Sequence, residues 1–276
     1  MHKLQTEIQT ALEVKTEIDP AAELRNRLNF VKAYVKKAGM KGYVLGISGG
    51  QDSTLLGKIL QLAMDELNEE EKGADYQFTA VRLPYGEQQD EEDAQLALDY
   101  IQPTRVLAVN IQPAVDASKA AVEEASGTEF SDFLLGNTKA RERMKVQYDL
   151  GAHYQSLVAG TDHAAEAVTG FYTKFGDGAC DVAPLFGLTK SQGKMLLDYL
   201  DAPAVFSEKA PTADLESDRP MLSDEEALGV TYAEIDAYLQ GAKVSREASE
   251  RIEQLYRTSG HKRQLPVTPF DYWWQD

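Results

Sequence analysis

A short apolar stretch that runs straight into a glycine turn and then a helical pattern most constrains the fold of this chain. Residues 43–47 read Tyr-Val-Leu-Gly-Ile, which is typical of a buried strand. Ser48-Gly49-Gly50 then turns the chain, and residues 51–67 follow with leucines and an isoleucine along a helical pattern. This arrangement predicts a phosphate site. Glycines let backbone N–H groups approach an anion, and the first turn of a helix carries unpaired donors and partial positive charge.

An aspartate stands in this turn, where a phosphate is expected to bind. Ser48, Ser53 and Thr54 add hydroxyl donors, but Asp52 is an anion. A carboxylate beside phosphates makes chemical sense mainly when a divalent cation lies between them. The turn matches neither the P-loop pattern nor the Gly-x-Gly-x-x-Gly pattern of dinucleotide folds. The alternative, a plain connector between a strand and a helix, leaves the two serines and the acid unexplained.

Apolar runs alternate with helical patterns over the middle of the chain. Strands are predicted at residues 43–47, 77–83, 105–110 and 156–160, and helices at 51–67, 90–101, 114–125, 131–150 and 162–169. This alternation predicts an α/β fold, a Rossmann-like, doubly wound parallel sheet with helices on both faces. Ligands bind beyond the carboxyl ends of the strands in such sheets. The strongest polar motifs lie at three of these ends.

The whole chain, residues 1–276, is expected to form one domain. Apolar spacing predicts an N-terminal helical arm at about 1–38, ahead of an α/β core at about 40–202. A polar stretch at about 203–223 predicts a flexible loop that acts as a lid, because loops of this length are uncommon in compact domains. C-terminal helices and a tail occupy about 224–276. The aromatic residues Trp273 and Trp274 are expected to pack down on the protein.

Composition restricts the classes of partner. The formal net charge is −17, from 28 basic and 45 acidic side chains, which argues against general nucleic-acid binding. The single cysteine, Cys180, excludes an internal disulfide and a cysteine-based metal cluster, and it suits the cytosol. There is no run of 18 apolar residues and no apolar secretory signal. A cytoplasmic protein that binds no membrane is therefore expected.

Several motifs together carry a family resemblance. Ser-Gly-Gly-x-Asp-Ser at residues 48–53 resembles the loop of ATP pyrophosphatases, which split ATP between its α and β phosphates and have the adenine nucleotide α-hydrolase type of fold. Four further segments follow in order: Val-Arg-Leu-Pro-Tyr-Gly at 81–86, Gly-Thr-Asp-His-Ala-Ala-Glu at 160–166, Phe-Gly-Asp-Gly at 175–178 and Lys-Ala-Pro-Thr-Ala-Asp-Leu at 209–215. With them the chain resembles ammonia-dependent bacterial NAD synthetases from about residue 4 to its end. One departure is that Gly260-His261-Lys262-Arg263 stands where that family has Glu-His-Lys-Arg.

The resemblance implies a reaction in two steps. The nicotinate carboxylate of deamido-NAD (nicotinic acid adenine dinucleotide) attacks the α-phosphate of ATP, which forms an acyl adenylate and releases pyrophosphate. Ammonia then displaces AMP and forms NAD. Free ammonia is the expected nitrogen donor, because the chain has no room for a glutamine-hydrolysing domain. The implied cofactor is Mg²⁺, and the implied assembly is a homodimer with the dinucleotide site at the subunit interface.

The resemblance also implies roles for particular residues. The implied catalytic residues are Asp52, Lys190 and Asp177, the last as a group that orients or deprotonates ammonia. The implied metal ligands are Asp52 and Glu166. ATP contacts are implied for Gly46, Ile47, Ser48, Gly49, Gly50, Gln51, Asp52, Ser53, Arg82, Gln88, Thr161, Lys190 and Thr212. Deamido-NAD contacts are implied for Arg141, Lys174, Asp181, His261 and Lys262.

Plainer interpretations stand beside these. Arg141 could pair with neighbouring acids along an exposed helix. Asp162 and His163 are interpreted as a helix N-cap and a packed histidine, and Cys180 as an ordinary buried thiol. Another ATP pyrophosphatase, such as the synthetase half of GMP synthetase or a thiolating enzyme, shares the loop but not the segment at 160–166 or the His-Lys-Arg motif. A non-catalytic nucleotide-binding module of the same fold would not need paired carboxylates for a metal.

The expected homodimer has a physical rationale of its own. Leucine, isoleucine and valine recur at helical spacing in the N-terminal arm, with no obvious strand of their own to cover. The helices predicted over residues 114–150 could offer a second apolar face.

Overall fold

A computed structural model describes residues 3–86, 91–208 and 224–275. Its strands form one parallel sheet in the order β3-β2-β1-β4. They are β1 (Gly42–Gly46), β2 (Gln77–Arg82), β3 (Arg105–Ala108) and β4 (Leu157–Val158). The predicted parallel α/β fold is confirmed.

Twelve α-helices are found in the described ranges. They are α1 (Lys3–Ala11), α2 (Pro20–Ala38), α3 (Gln51–Glu70), α4 (Glu91–Ile101), α5 (Gln112–Ser126), α6 (Asp132–Tyr154), α7 (Ala164–Thr169), α8 (Lys190–Tyr199), α9 (Val205–Glu208), α10 (Asp224–Leu228), α11 (Tyr232–Leu239) and α12 (Arg246–Thr258). A short 3-10 turn, Gly260–Lys262, follows α12.

Helices cover both faces of the sheet because successive side chains of a strand point to opposite faces. Tyr43, Leu45 and Ile47 pack in the cluster that contains the buried residues of α2, α3 and α8. Val44 points the other way and packs in the cluster that contains residues of α5 and α6. The run of apolar residues in β1 is thus explained by burial on both sides, as is usual for parallel strands.

A third apolar cluster joins the two ends of the chain. Ile8 of α1 and Leu12, directly after it, pack among buried residues of α7, α11 and α12. The N-terminal arm therefore covers the protein's own C-terminal helices, while Leu24, Leu28 and Val31 of α2 are buried in the cluster that also contains α3. The expectation that the arm leaves an uncovered apolar stripe was wrong, because the covering elements are helices rather than strands.

Three further local predictions need correction. The strand predicted at 156–160 is only Leu157–Val158, because beyond it Ala159 pairs with Val182 in a single bridge. The loop predicted to begin at 203 instead starts with α9, which buries Phe206. Residues 209–223, where most of the expected lid falls, lie outside the described residues. Trp273 and Trp274 do not pack down as predicted, since Trp274 is 57% exposed.

The strand order places a crevice between β1 and β4. The chain proceeds outward from β1 through β2 to β3 and then returns to the opposite side of β1 to form β4. The loops that leave β1 and β4 therefore diverge at the carboxyl edge of the sheet, which is where doubly wound folds bind ligands. No helix within the described ranges is long and apolar enough to cross a membrane.

Candidate active site

The turn after β1 presents the start of α3 without a side-chain cap. Gly50 is the N-cap residue and makes no side-chain capping hydrogen bond. Ser48 Oγ lies 3.1 Å from Ser53 Oγ and accepts from the Gly50 N–H at 3.3 Å, so the turn is held by its own hydroxyls. An uncapped helix start preceded by glycines is suited to binding an anion.

Two neighbouring residues anchor the entrance to this turn. The Gly46 N–H donates to Gln147 Oε1 of α6 at 2.7 Å, and the Ile47 N–H donates to Val81 O of β2 at 2.9 Å. These bonds connect the turn to both α6 and the sheet. The turn is therefore held in place before any ligand binds.

Acidic side chains from the ends of β1 and β4 meet beside the turn. Asp52 lies in the first turn of α3, and Glu166 lies in the first turn of α7. Asp52, Glu166 and the buried His163 each offer one ligand atom, and these atoms all lie within 4.8 Å of one another. The two predicted metal ligands are thus brought together by the structure.

Lys190 completes this cluster from the start of α8. Its Nζ donates to Asp52 Oδ2 at 2.6 Å and lies 5.3 Å from the centroid of the Tyr232 ring. Gln51 Nε2 donates to the Lys190 carbonyl oxygen at 3.0 Å. Thr189 caps α8 in a capping box with Gln192, so the first turn of this helix is occupied by protein groups.

The charges in the cluster shift the pKa values of its members in opposite directions. Burial opposes the charge on Asp52, but the charges of Lys190 and His163 outweigh it and hold the pKa of Asp52 well below its usual range. Burial, helped by the charge of Asp52 and opposed by that of His163, raises the pKa of Glu166 to about 8. Burial also opposes a charge on His163, but Glu166 and Asp52 raise its pKa. The positive charges of His163 and Lys190 therefore do not offset the effect of burial and of Asp52 on the pKa of Glu166.

The residues present suit a divalent cation with a preference for oxygen ligands. Two carboxylates from different elements converge, as in sites that hold Mg²⁺ with one or two protein carboxylates and substrate phosphates. A cation held by these carboxylates would favour the ionised form of Glu166. His163 Nε2 is buried and makes no hydrogen bond to the described residues, and it lies 3.6 Å from Asp52 Oδ1 and 3.8 Å from Glu166 Oε1.

The predicted deamido-NAD residues form a second group around the end of α7. Arg141 Nη2 lies 3.5 Å from the Lys174 carbonyl oxygen, and Lys174 Nζ donates to the His261 carbonyl oxygen at 2.7 Å. Lys262 Nζ donates to the carbonyl oxygens of Gly170 and Tyr172 at 2.7 Å each. Four of the five residues are therefore neighbours.

The fifth of these residues and the candidate ammonia residue lie near the end of β4. Asp181 Oδ2 accepts from the Val158 N–H at 2.7 Å, and Asp177 Oδ1 accepts from the Thr173 N–H at 3.0 Å. Burial, together with the charge of Asp177, raises the pKa of Asp162 to about 6. Asp177 and Asp162 therefore lie close enough to repel one another.

The remaining predicted ATP residues are less closely grouped. Thr161 follows β4 and is partly buried. Arg82, at the end of β2, forms an ion pair with Glu91 at the start of α4. Gln88 and Thr212 lie outside the described residues.

The plainer interpretations have mixed outcomes. The N-cap of α7 is His163 rather than Asp162, because His163 Nδ1 accepts from the Glu166 N–H at 3.4 Å. His163 is indeed buried, with 2% of its surface exposed, but it packs against the two carboxylates. Burial, helped by the charge of Asp162, raises the pKa of the half-buried Cys180 thiol to about 12. Glu142, the acid next to Arg141, forms an ion pair with Lys145, with 2.8 Å between Glu142 Oε1 and Lys145 Nζ.

Sequence reasoning missed two polar residues beside Lys190. The Tyr232 hydroxyl donates to Asp224 Oδ2 at 3.0 Å, and Asp224 is buried. Burial raises the pKa of Asp224, and the nearby Lys190 charge opposes that shift. Local patterns gave no signal for either residue, since Asp224 stands in an acidic helix start and Tyr232 in an apolar helix.

Comparisons with known proteins agree with this geometry. The family model described as NAD synthase matches residues 23–266. The chain belongs to the NAD synthase family. An NH(3)-dependent NAD(+) synthetase from Halalkalibacterium halodurans is 61% identical over 272 residues, which covers 99% of this chain and 100% of that relative.

Solved structures extend the likeness to the fold. An NAD+ synthetase from Burkholderia pseudomallei is 42% identical, with a TM-score of 0.81 over 95% of this chain and 96% of that one. An NMN synthetase from Francisella tularensis is 34% identical, with a TM-score of 0.81 over 92% of this chain and 100% of that one. The NAD synthase fold is thus shared by proteins whose names indicate different products.

Proposed function

We propose that this chain joins ammonia to deamido-NAD to form NAD, with ATP converted to AMP and pyrophosphate. The observation that carries the proposal is the meeting of Asp52, Glu166 and Lys190 at the uncapped start of α3. This arrangement offers backbone donors and one ammonium group to phosphates, and two carboxylates to a cation. The full-length likeness to NH(3)-dependent NAD(+) synthetases supports the amide product.

The chemistry explains why such a site is needed. A carboxylate is a poor acyl donor because oxide is a poor leaving group, whereas AMP leaves readily. The first step forms a bond between a nicotinate oxygen and the α-phosphorus of ATP and breaks the bond to pyrophosphate. In the second step ammonia displaces AMP. The protein's main task in the first step is to position the reactants and to offset charge on the departing pyrophosphate.

Each part of the site is assigned one of these tasks. The turn at residues 46–53 is proposed to bind the pyrophosphate portion of ATP through backbone N–H groups and the hydroxyls of Ser48 and Ser53. Asp52 and Glu166 would hold Mg²⁺, which when bound offsets phosphate charge. Lys190 is proposed to place its ammonium group beside the same phosphates. Thr161 is proposed to contact ATP at the end of β4.

The group around the end of α7 is proposed to bind deamido-NAD. Arg141, Lys174, His261 and Lys262 cluster there; the cationic side chains of Arg141, Lys174 and Lys262 suit the dinucleotide's phosphates and carboxylate, and His261 adds a neutral hydrogen-bonding ring. Asp181 is proposed to be a further contact. Asp177 is proposed to orient or deprotonate ammonium, since ammonium must lose a proton before it can attack. Its position near Asp162 gives that area the negative charge that would attract a cation.

Replacing Lys174 by alanine is expected to raise the KM for deamido-NAD about 10-fold or more and the KM for ATP by less than about 3-fold. The reason is that a charged hydrogen bond to a substrate contributes about 1.5–3 kcal/mol. Steady-state kinetics with each substrate varied would measure both values. Lys37→Ala, an exposed lysine in the last turn of α2, is a matched control. Equal increases in the two KM values would contradict the assignment of Lys174 to deamido-NAD.

We also propose that the active form is a homodimer that pairs through α5 and α6. Phe133 is 66% exposed, and Val122 and Leu134 are also exposed on this helix pair. Dilution to nanomolar concentration is expected to reduce both the size seen by gel filtration and the specific activity. Phe133→Glu should shift the dimer-to-monomer transition to higher protein concentration, while Phe30→Glu on α2 should leave this transition unchanged. A fully active monomer would refute the proposal.

Pyrophosphate release from ATP and Mg²⁺ with deamido-NAD, with and without ammonium, tests the proposed function. Release that requires deamido-NAD, followed by NAD formation only when ammonium is added, is the expected result. Nicotinic acid mononucleotide should be tested beside deamido-NAD, because of the NMN synthetase with the same fold. Release triggered only by another acid would support a different ATP pyrophosphatase, and Mg²⁺-independent ATP binding without release would support a non-catalytic module.

We propose that the reaction takes place in the cytoplasm, which suits the single free cysteine.

A further inference from the structure

A buried aspartate on α11 contacts the start of the helix that carries Lys190. Asp236 Oδ1 accepts from the Lys190 N–H at 3.1 Å, and Asp236 Oδ2 accepts from the Ser191 N–H at 2.7 Å. Asp236 is only 6% exposed. Both of its carboxylate oxygens are therefore used to hold two adjacent backbone N–H groups of α8.

The same peptide of Lys190 is held from the opposite direction by α3. Gln51 Nε2 donates to the Lys190 carbonyl oxygen at 3.0 Å, and Gln51 is the residue before Asp52. The main chain of Lys190 is thus bonded to α11 through its N–H and to α3 through its carbonyl group. Its side chain starts from a fixed position and extends to Asp52 Oδ2, 2.6 Å from Nζ.

Helix α11 is itself braced by the N-terminal arm. Gln5 Nε2 of α1 donates to the Tyr238 carbonyl oxygen at 2.9 Å, and Gln9 Nε2 donates to the Leu239 carbonyl oxygen at 2.7 Å. These bonds tie the last turn of α11 to α1, and the Tyr238 carbonyl oxygen also accepts from the Gly241 N–H at 3.1 Å. Asp236 is therefore presented to α8 by an element that is held at its far end.

The chemistry of this contact differs from that of an ordinary cap. Thr189 already caps α8 by accepting from the Gln192 N–H. Asp236 accepts from the two N–H groups before it, those of Lys190 and Ser191. A carboxylate at the start of a helix is stabilised by the partial positive charge there. With these donors occupied, the positive charge that the first turn of α8 can offer to a phosphate is the side chain of Lys190.

We infer that Asp236 is a positioning residue that fixes the main chain of Lys190 so that its ammonium group is aimed at the phosphates of ATP. The inference rests on the proposed function of Lys190. Both carboxylate oxygens of Asp236 are occupied by backbone N–H groups of α8, so in this role it acts through Lys190. Beside this contact, Gln240 Nε2 at the end of α11 lies 3.5 Å from Oγ1 of Thr189, the N-cap residue of α8.

The first test is Asp236→Asn, which keeps one acceptor oxygen but turns an amide NH₂ group towards the second backbone N–H. The kcat for pyrophosphate release is expected to fall about 10- to 100-fold, because a misplacement of about 1 Å at a reacting group has effects of this size. The KM for deamido-NAD should stay within about 2-fold. Glu234→Gln, two residues earlier on α11, removes one charge while keeping a capping-box side chain, and it should behave as the wild type.

A double-mutant cycle separates positioning from a merely structural role. In a Lys190→Ala background, Asp236→Asn is expected to change the residual kcat by less than about 2-fold, because Asp236 has no other route to the phosphates. The same loss in both backgrounds would overturn the inference, as would a wild-type kcat in Asp236→Asn. Thermal unfolding of all four proteins identifies any variant that fails to fold, and Asp236→Ser is then the substitute, since it keeps an acceptor in a smaller side chain.

Failure of the inference is distinct from failure of the proposed function. Wild-type protein that releases no pyrophosphate with deamido-NAD would reject the proposed function and, with it, this inference. An active wild type combined with an equally active Asp236→Asn variant would reject the inference alone.

Discussion

Asp52→Asn is expected to reduce ATP-dependent pyrophosphate release about 1,000-fold or more while leaving the protein folded. The carboxylate of Asp52 is the nearest anion to Lys190 and one of the two acids proposed to hold Mg²⁺. Without this carboxylate Mg²⁺ would be held by one acid instead of two, and the loss of one preorganised group that offsets charge in a transition state, here the cation, costs about 1,000-fold at the upper end. Coupled-enzyme detection of pyrophosphate would measure the effect.

The stability of this variant is expected to change much less than its activity. An asparagine amide oxygen can still accept from Lys190 Nζ, so the ammonium group keeps a hydrogen bond. The free energy of unfolding should therefore fall by less than the 3 kcal/mol or so that the loss of a fully buried partner costs. Glu69→Gln removes a charge from an exposed position on the same helix and should change neither quantity. Unchanged pyrophosphate release in Asp52→Asn would reject the metal role of Asp52.

Gly49→Ala is expected to destabilise the protein by about 3 kcal/mol and to reduce pyrophosphate release by about 100-fold. Gly49 has a φ of +83°, a conformation that costs a non-glycine residue about 1–3 kcal/mol. A Cβ atom there would lie 2.7 Å from the backbone N of Ala94 and 2.7 Å from the backbone C of Asp93, at the start of α4. Since neither backbone atom can move without shifting α4, the turn itself must move, and the proposed phosphate donors move with it.

The adjacent glycine supplies a matched control for stability. Gly50 has a φ of −80°, and the nearest atom to an added Cβ would be Ser48 Oγ at 3.4 Å. Gly50→Ala should therefore change the free energy of unfolding by less than about 1 kcal/mol. Urea denaturation of both variants measures the difference. Equal stability losses would show that the turn does not pack against α4 as described.

Much of the fold could be predicted because its signals are local. The apolar run of β1 and the Ser-Gly-Gly turn indicated a strand, a turn and a helix start, and the alternation over residues 43–169 indicated a parallel sheet. The N-terminal arm showed the limit of this reasoning. Its apolar spacing correctly predicted helices, but the partner of α1 was the distant C-terminal cluster. The spacing of apolar residues identifies the buried face of a helix, but it does not identify the element that packs against that face.

The candidate site divides in the same way. The family resemblance paired Asp52 with Glu166 in advance, and the pairing agrees with the fold, because each follows a strand and parallel strands end at one edge of the sheet. The motif interpretation of His163 as a packed residue was incomplete, since burial and contact with both carboxylates coexist at that position. Nothing local marked Tyr232 or Asp236, which reach Lys190 from a helix that follows it in the chain.

Sequence alone determined the elements, their parallel arrangement and the turn with its aspartate, because turn chemistry and apolar period act between residues a few positions apart. Tertiary structure alone decided that Lys190 would reach Asp52 from 138 residues away, and that Asp236 would hold its backbone. It also decided that Gly49 rather than Gly50 would lie against α4. The physical reason is that such contacts depend on how whole elements pack, and packing joins residues that no local pattern relates.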